Sequence, residues 1–196
     1  MRVVDLGAGT GVITGALAVQ AGSVLAVEID PGLAAGLARR FDRAPNVTVI
    51  HGDACAVPLP LNPYRVVANP PFARTAAILR RLLDDPARGL VRADLVVQWQ
   101  VARHRARVGE GGPPDLLGAI WAPWWTFARG RRLPAAGFHP RPGVDAAVLV
   151  ITARPSPRLA PADFARYKAF VTANWTARWA GRTEPVDWAA RFRARR

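Results

Sequence analysis

This sequence of 196 residues has almost no cysteine and no set of residues with the spacing of a metal site. Cys55 is the single cysteine, which excludes an internal disulfide and a cysteine-based zinc site. The three histidines, His51, His104 and His139, lack the spacing of a metal site, so we expect no bound metal. A lone cysteine is typical of a protein from a reducing compartment, and we therefore expect a cytoplasmic protein.

Long apolar runs and a secretion signal are also missing. The longest apolar stretch, 116–127, is too short and too interrupted by proline to cross a bilayer. Met1 and Arg2 lead directly into a strand pattern, without the charged and then apolar order of a signal peptide. The sequence therefore predicts neither membrane insertion nor secretion.

Acidic residues and lysines are scarce. The chain has 27 basic and 14 acidic residues, a formal net charge of +13, and a single lysine, Lys168. A bias toward GC-rich codons explains why arginine replaces lysine, but it does not explain an excess of bases over acids. An excess of this size favours a polyphosphate partner such as a nucleic acid.

Strand and helix patterns alternate over the first half of the chain. This alternation predicts an α/β fold with a Rossmann-like, doubly wound sheet. Two later strand patterns predict an antiparallel hairpin, and the apolar spacing over Pro161–Trp175 predicts an amphipathic helix. The predicted strands are 2–6, 24–29, 47–51, 64–68, 93–98, 124–129 and 144–152, and the predicted earlier helices are 12–21, 32–42, 74–84 and 99–107.

A glycine-rich turn follows the first predicted strand. Gly7, Gly9 and Gly11 have the spacing G-x-G-x-G between that strand and a helix, which is the place of a nucleotide-binding turn in a doubly wound sheet. The spacing differs from the G-x-G-x-x-G that lets a helix N-terminus approach a pyrophosphate. A ligand without phosphate therefore fits this turn better than NAD does.

Carboxylates lie at the ends of the next two predicted strands. Glu28 stands about 20 residues after the glycine turn, where a carboxylate can hold a ribose diol. Asp53 is placed to accept a hydrogen bond from an adenine amino group, and the Ala54 amide is placed to bind a ring nitrogen. A single glycine motif is a weak signal, but this ordered series is specific.

The segment Asn69-Pro70-Pro71-Phe72 ends the fourth predicted strand. Proline fixes φ and restricts the residue before it, so the turn is stiff before any ligand arrives. The Asn69 amide oxygen and the Pro70 carbonyl are two acceptors in fixed positions, and Phe72 adds a flat face. By itself the segment is equally consistent with a plain proline-rich turn, but the upstream series favours a site for the amino group of a flat base.

In this order, the glycine turn, Glu28, Asp53 and the Asn-Pro-Pro-Phe corner resemble the S-adenosylmethionine-dependent N6-adenine methyltransferases. Further segments resemble the ribosomal RNA adenine dimethylases and their erythromycin-resistance (Erm-type) branch. The segment 95–103 is similar to the fifth strand and following helix of the dimethylases. The segments 116–125 and 138–146 are similar to the Erm-type branch, and the second matches F-x-P-x-P-x-V-D-A. The resemblance covers about 2–153.

The resemblance implies a Rossmann-like methyltransferase sheet that binds S-adenosylmethionine at the carboxyl ends of its strands. It implies as substrate an adenine of large-subunit (23S) ribosomal RNA, whose N6 methylation blocks macrolide, lincosamide and streptogramin B antibiotics. No acid–base residue is expected, because the sulfonium is already an activated leaving group. The implied site comprises Asp5, Gly7, Gly9 and Gly11 for the methionine end, Glu28 for the ribose, Ile29, Asp53 and Ala54 for the cofactor adenine, Asn69 and Pro70 for the target N6, and Phe72 and Phe138 for stacking on the target base.

Arginines outside this site are expected to bind RNA phosphates. They follow the fifth predicted strand, cluster with Arg129 near the predicted hairpin, or lie in the proline-rich segment after it. Ten further bases after Ile151 predict salt-sensitive phosphate affinity in the tail. The predicted RNA-binding residues are Arg74, Arg103, Arg105, Arg107, Arg131, Arg132 and Arg141.

The segment 154–157, Arg-Pro-Ser-Pro, predicts a domain boundary. It would separate a catalytic domain, 1–153, from a short basic helical lobe, 154–196. The resemblance also implies a Gln-Asn-Phe segment that closes over the cofactor, whereas Met1 stands at the mouth of the first predicted strand. We therefore expect a truncated start or a pared-down relative, acting as a monomer on ribosomal RNA.

Four other functions are compatible with parts of the sequence. A small-subunit ribosomal RNA dimethyltransferase would use the same chemistry, but the segment 121–125 argues against it. A DNA adenine methyltransferase would share the Asn-Pro-Pro-Phe corner, but little room remains for a target-recognition domain. A non-catalytic RNA-binding relative is favoured by the missing N-terminal motif and opposed by Glu28 and Asn69. An NAD oxidoreductase fits least, given the glycine spacing.

Overall fold

The computed structural model of the chain describes residues 1–107, 115–175 and 187–195. Contacts between residues divide the chain into two compact units. The first unit comprises Met1–Leu82 and Arg88–Val97, and the second comprises Leu83–Ala87 and Gln98–Arg196. The proline-rich segment 154–157 falls inside the second unit, and a domain boundary at that segment stays a prediction.

The first unit is built on five parallel strands. In chain order they are β1 (Arg2–Leu6), β2 (Ser23–Glu28), β3 (Val47–His51), β4 (Tyr64–Ala68) and β5 (Leu90–Gln98). In space the order is β3-β2-β1-β4-β5, so the direction of strand addition reverses between β1 and β4. Ligands of open α/β sheets bind outside the carboxyl ends of the strands at such a reversal. The fold therefore predicts a binding crevice where β1 and β4 end.

Three helices connect these strands: α1 (Val12–Gln20), α2 (Pro31–Arg40) and α3 (Thr75–Leu83). α2 begins with a proline at its first position, and the Asp30 side chain caps it by accepting from Leu33 N at 2.8 Å. The strands carry continuous apolar runs because parallel strands are covered on both faces. Val4, Ala26 and Val66 are fully buried.

In its described residues, the second unit has four helices and an antiparallel strand pair. The helices are α4 (Trp99–Ala106), α5 (Leu116–Trp121), α6 (Phe164–Asn174) and α7 (Trp188–Arg193), and the strands are β6 (Trp125–Leu133) and β7 (Ala146–Ala153). An aromatic cluster forms much of its core. The centroid of the Trp124 ring lies 5.3 Å from that of Phe164 and 5.5 Å from that of Tyr167. The Tyr167 hydroxyl donates to the carbonyl of Ala119 at 2.9 Å.

The predicted strands and the four predicted earlier helices are confirmed within a few residues at each end. The helix predicted over Pro161–Trp175 begins as a 3-10 turn, Pro161–Asp163, and continues as α6, which buries Phe164, Tyr167 and Val171. The rings of Trp175 and Trp188 pack together, with their centroids 5.8 Å apart.

Two helices were not predicted. α5 buries Gly118, Ala119, Ile120 and Trp121, so its sequence has no polar face and no helical period. α7 is only six residues long, too short for a periodic signal. None of the described helices is long and apolar enough to cross a membrane.

Candidate active site

The glycine turn lies between β1 and α1, at the reversal of the strand order. Gly7, Gly9 and Gly11 have φ angles of 78°, 56° and 83°, which an L side chain rarely adopts. A Cβ at Gly11 would lie 2.5 Å from Leu37 Cδ2, so this glycine also lets α2 approach. A Cβ at Gly9 would meet no described atom within 4 Å. The backbone of Gly9 is therefore open to a ligand.

Asp5 is buried at the base of this turn. Its side chain has no exposed surface, and its Oδ2 accepts from the Thr14 hydroxyl at 2.7 Å, which joins β1 to α1. Burial raises the pKa of the Asp5 carboxyl to about 6, against the lowering effect of the Thr14 hydrogen bonds. Its Oδ1 has no partner in the described part of the chain. A buried acceptor without a donor is what the ammonium group of a methionine end would need.

Thr14 is a site residue that the sequence analysis missed. It lies on the first turn of α1 and is fully buried, and its hydroxyl is the hydrogen-bond donor to Asp5. A single threonine inside an apolar helix pattern gives no sequence signal. The pairing requires β1 and α1 to pack together first.

Glu28 ends β2 and braces the glycine turn. Its Oε2 accepts from Gly9 N at 2.7 Å, and its Oε1 accepts from Asp30 N at 2.9 Å. Each carboxylate oxygen has a second lone pair, so both remain able to accept from ribose hydroxyls. The neighbouring Ile29 is 62% exposed, and it therefore offers an apolar surface at the same strand end.

Asp53 lies in the loop after β3 and is partly exposed. Its Oδ1 accepts from Cys55 N at 2.8 Å and its Oδ2 from Arg74 Nη2 at 2.6 Å. The Cys55 amide and then the Arg74 guanidinium hold the pKa of the Asp53 carboxyl below its usual range. Asp53 is therefore ionised and able to accept a further hydrogen bond, and Ala54 beside it is half-buried.

The Asn-Pro-Pro-Phe corner follows β4 and packs against the glycine turn. A Cβ at Gly7 would lie 3.6 Å from Pro71 Cδ and 3.7 Å from Pro70 Cα. Asn69 is exposed, and among the described residues no group bonds its side-chain amide. Phe72 is half-buried and opens a 3-10 turn in which Arg74 N donates to the carbonyl of Pro71 at 2.9 Å. A rigid corner with a free amide thus lies directly beside the open turn.

Phe138, the second aromatic predicted to stack on the target base, belongs to the second unit. It follows the 3-10 turn Ala135–Gly137 and is half-buried, so part of its ring is open to solvent. Its role in stacking stays a prediction.

The structure corrects the interpretation of Arg105 as an RNA-binding residue. Its side chain is only 12% exposed, its guanidinium pairs with Asp115, and it lies 5.4 Å from the Trp121 ring. Asp115 also caps α5 by accepting from Gly118 N at 2.7 Å. Arg105 therefore links α4 to α5. Its charge is neutralised by Asp115 and largely shielded from solvent.

The other predicted RNA-binding arginines have exposed side chains. Arg103, Arg107, Arg131 and Arg141 are exposed, which agrees with phosphate binding. Arg74 is 48% exposed but pairs with Asp53. Arg132 is 59% exposed and pairs with Asp145. Three bases of the predicted basic tail, Arg178, Arg182 and Arg196, lie outside the described residues.

Metal ligands do not cluster among the residues that the structure describes. No group of three or more histidine, cysteine, aspartate or glutamate side chains is placed to hold an ion there. The candidate site in the first unit brings together backbone amides, three carboxylates, one free amide and one aromatic ring among the described residues.

The profile of the family described as ribosomal RNA adenine dimethylase matches residues 1–179. The chain is 38% identical over 179 residues to an rRNA adenine N-6-methyltransferase from Corynebacterium diphtheriae, covering 91% of this chain and 68% of that protein. It is 43% identical over 157 residues to the mycinamicin-resistance protein MyrB from Micromonospora griseorubida, covering 80% and 48%. It is also 37% identical over 161 residues to a ribosomal RNA small subunit methyltransferase A from Synechococcus, covering 79% and 56%.

Among solved structures, the fold is similar to that of the 23S rRNA methyltransferase ErmE. The TM-score is 0.76 at 30% identity, and the match covers 88% of this chain and 69% of that one. The chain spans about half to two thirds of the length of these relatives.

Proposed function

Because the chain belongs to the ribosomal RNA adenine dimethylase family of methyltransferases, we propose that it methylates N6 of an adenine in 23S ribosomal RNA. The methyl donor is S-adenosylmethionine, and the modification confers resistance to macrolide, lincosamide and streptogramin B antibiotics. The likeness to ErmE, a 23S rRNA methyltransferase, supports the large-subunit substrate, and the likeness to the mycinamicin-resistance protein MyrB supports the resistance. The protein would act as a monomer in the cytoplasm.

The observation that carries this proposal is the contact between the glycine turn and the Asn-Pro-Pro-Phe corner. Pro70 and Pro71 lie against Gly7, and Asn69 beside them is exposed and unbonded in the described part of the chain. One element is suited to the methyl donor and the other to the amino group of a base. Their adjacency satisfies the first requirement of a transfer reaction, which is that donor and acceptor meet.

The residues present fit S-adenosylmethionine. Gly9 leaves an open backbone, Asp5 Oδ1 is a buried acceptor without a donor, and Glu28 retains two lone pairs for ribose hydroxyls. Ile29 and Asp53 would hold the adenine, the first through its exposed apolar surface and the second through its ionised carboxylate. When bound, S-adenosylmethionine would supply a methyl group that its positively charged sulfur already activates.

The chain's own contribution to the transfer is orientation. The target adenine must leave its RNA stack to reach the site. The Asn69 amide oxygen and the Pro70 carbonyl would accept from the N6 hydrogens, which draws the nitrogen lone pair out of the ring and makes it the nucleophile. The oriented nitrogen would take the methyl group that the sulfonium gives up, and it would then release a proton to water. Phe72 would stack on the base, a contact worth about 1–3 kcal/mol.

Methylation of small-subunit ribosomal RNA is the second candidate. The identity of 37% to a small subunit methyltransferase A favours it, and the chemistry at Asn69 would be the same. The two functions differ only in which RNA presents the adenine.

Transfer of labelled methyl to purified RNA tests both candidates. Deproteinised 23S and 16S ribosomal RNA would be offered in separate reactions, and primer extension would locate a dimethylated adenine. We expect label on 23S RNA alone, with an extension stop there if two methyl groups are added. Label on 16S RNA alone would establish the second candidate, and cofactor binding without transfer to either would identify a non-catalytic relative.

A further inference from the structure

Trp99, the first residue of α4, lies beneath two arginines of β6. The guanidinium carbons of Arg129 and Arg132 are each 4.8 Å from the centroid of the Trp99 ring. Both arginines are exposed, whereas Trp99 is half-buried. A guanidinium over an indole ring is a favourable cation–π contact and keeps its N–H groups free at the edge.

An irregularity in β6 brings the two arginines to one ring. Residues three apart in a regular strand point to opposite faces. The register of β6 against β7 shifts between Arg129 and Arg132, and a bulge of this kind redirects side chains. Gly130 lies within the shift, where a Cβ would come within 3.2 Å of Val148 Cβ. The glycine therefore allows the close strand approach at this point.

Asp145 bonds both the Arg132 side chain and the backbone of Trp99. Its Oδ2 accepts from Arg132 Nε at 3.0 Å and Nη2 at 2.6 Å, and its Oδ1 accepts from Ala135 N at 2.9 Å. Its backbone carbonyl accepts from Trp99 N at 2.9 Å. One residue thus holds Arg132 and the start of α4 in a fixed relation.

Arg129 has no carboxylate partner in the described part of the chain. Arg132 is the arginine that Asp145 neutralises, and the charge of Arg141 also acts on Asp145. The cluster therefore keeps an excess of positive charge on exposed, pre-oriented guanidiniums. The anion that such a planar fork fits is a phosphate oxygen pair.

We propose that Trp99, Arg129 and Arg132 form a clamp that binds a backbone phosphate of the substrate RNA. Arg129 makes the phosphate contact, and Arg132 adds a second guanidinium beside the same ring. Trp99 is a positioning residue, because its ring holds both guanidiniums in place. This inference rests on the proposed ribosomal RNA substrate. The clamp would add a backbone contact that fixes the position of the RNA without recognising any base.

The first test is the salt dependence of RNA binding by Arg129→Gln. The variant removes one phosphate contact, so the slope of log affinity against log salt should fall by about 0.7–0.9. Affinity at low salt should fall about ten-fold. Arg39→Gln is the matched control, because Arg39 is exposed near the end of α2 and lies outside the cluster. The probe is a hairpin fragment of 23S RNA.

A second test addresses Trp99. Trp99→Leu removes the ring, and Trp99→Phe keeps an aromatic face and should restore most of the binding. Because Trp99 acts through the arginines, Arg129→Gln should cost less in the Trp99→Leu background than in the wild-type protein. In turnover assays, the KM for RNA should rise while kcat and cofactor affinity stay unchanged. Thermal unfolding of each variant controls for loss of fold.

A slope for Arg129→Gln equal to that of Arg39→Gln overturns the clamp, whatever the activity. So does full additivity of Trp99→Leu and Arg129→Gln, which would assign the ring a purely structural role. A wild-type protein that transfers no methyl but shows the slope difference refutes the proposed function and supports the clamp. The two proposals can therefore fail separately.

Discussion

The two units of the chain hold their functional side chains by different means. In the first, the carboxylates of Glu28 and Asp53 accept from backbone amides of nearby turns. In the second, arginines pair with Asp115 and Asp145 and lie over tryptophan rings. All seven tryptophans of the sequence fall within the range of the second unit. Backbone amides hold carboxylates in both units, but arginines over tryptophan rings belong to the second.

Some hydrogen bonds of the second unit join residues that stand much farther apart in the sequence than those of the glycine turn. Glu28 and Gly9 are 19 residues apart and belong to one strand–helix–strand unit. Lys168 and Asp84 are 84 residues apart, and Tyr167 and Ala119 are 48 apart. A short motif therefore describes the glycine turn well, whereas these packing contacts of the second unit depend on distant segments.

The largest expected effect is on the stability of the second unit. Trp121 is fully buried, and its Nε1 donates to Asp84 at 2.7 Å. Trp121→Ala should lower the free energy of unfolding by about 3–5 kcal/mol, since it leaves a large cavity. Denaturant unfolding measures it, with Trp121→Phe as the milder variant that keeps an aromatic ring but loses the N–H donor and part of the ring volume. A loss below about 1 kcal/mol would contradict the view that buried aromatic side chains stabilise the second unit.

Asp5 should make the first unit less stable as the pH rises. Its folded pKa of about 6 lies above the usual aspartate value of 3.8, so the folded state binds the proton more tightly than the unfolded state does. The free energy of unfolding should therefore fall by about 3 kcal/mol in total as the pH rises from well below 3.8 to well above 6. Asp5→Asn should remove this part of the pH dependence. Identical pH profiles for the two proteins would refute it.

Asn69→Ala should lower methyl transfer by roughly 100-fold, because it removes an acceptor that orients N6 in the transition state. Cofactor affinity should stay within a small factor, since the glycine turn and Glu28 are untouched. Single-turnover transfer of labelled methyl measures the effect, and Asn62→Ala, at an exposed asparagine before β4, is the control. Transfer at the wild-type rate would make the Asn-Pro-Pro-Phe corner structural.

Glu28→Ala should weaken S-adenosylmethionine binding by about 1.5–3 kcal/mol, the worth of a hydrogen bond to a charged group. The loss includes the brace to Gly9 as well as the ribose contact, and Glu28→Gln should be milder because it keeps one acceptor oxygen. Calorimetry measures the affinity, with the exposed Asp42→Ala as the control acid. Equal affinities for Glu28→Ala and the control would remove Glu28 from the site.

Sequence reasoning identified the features that depend on local backbone shape. The glycine turn needs positive φ angles, and the prolines at 70 and 71 fix a corner, so both features are visible in the residue types. It failed for Arg105, because exposure and charge pairing are not local properties. In the sequence Arg105 looks like Arg103 and Arg107, yet Asp115 neutralises it and Trp121 lies 5.4 Å from it.

The sequence by itself determined the α/β architecture, the order of the motifs and the family to which the chain belongs. Alternating strand and helix periods, together with strand ends marked by Gly, Glu, Asp and Asn-Pro-Pro, encode these features within short windows. Only the tertiary structure decided that the corner packs against Gly7, that Thr14 pairs with Asp5, and that a strand irregularity gathers two arginines over Trp99. The physical reason is that burial, pKa and charge pairing depend on which distant segments meet, and a one-dimensional pattern does not contain that information.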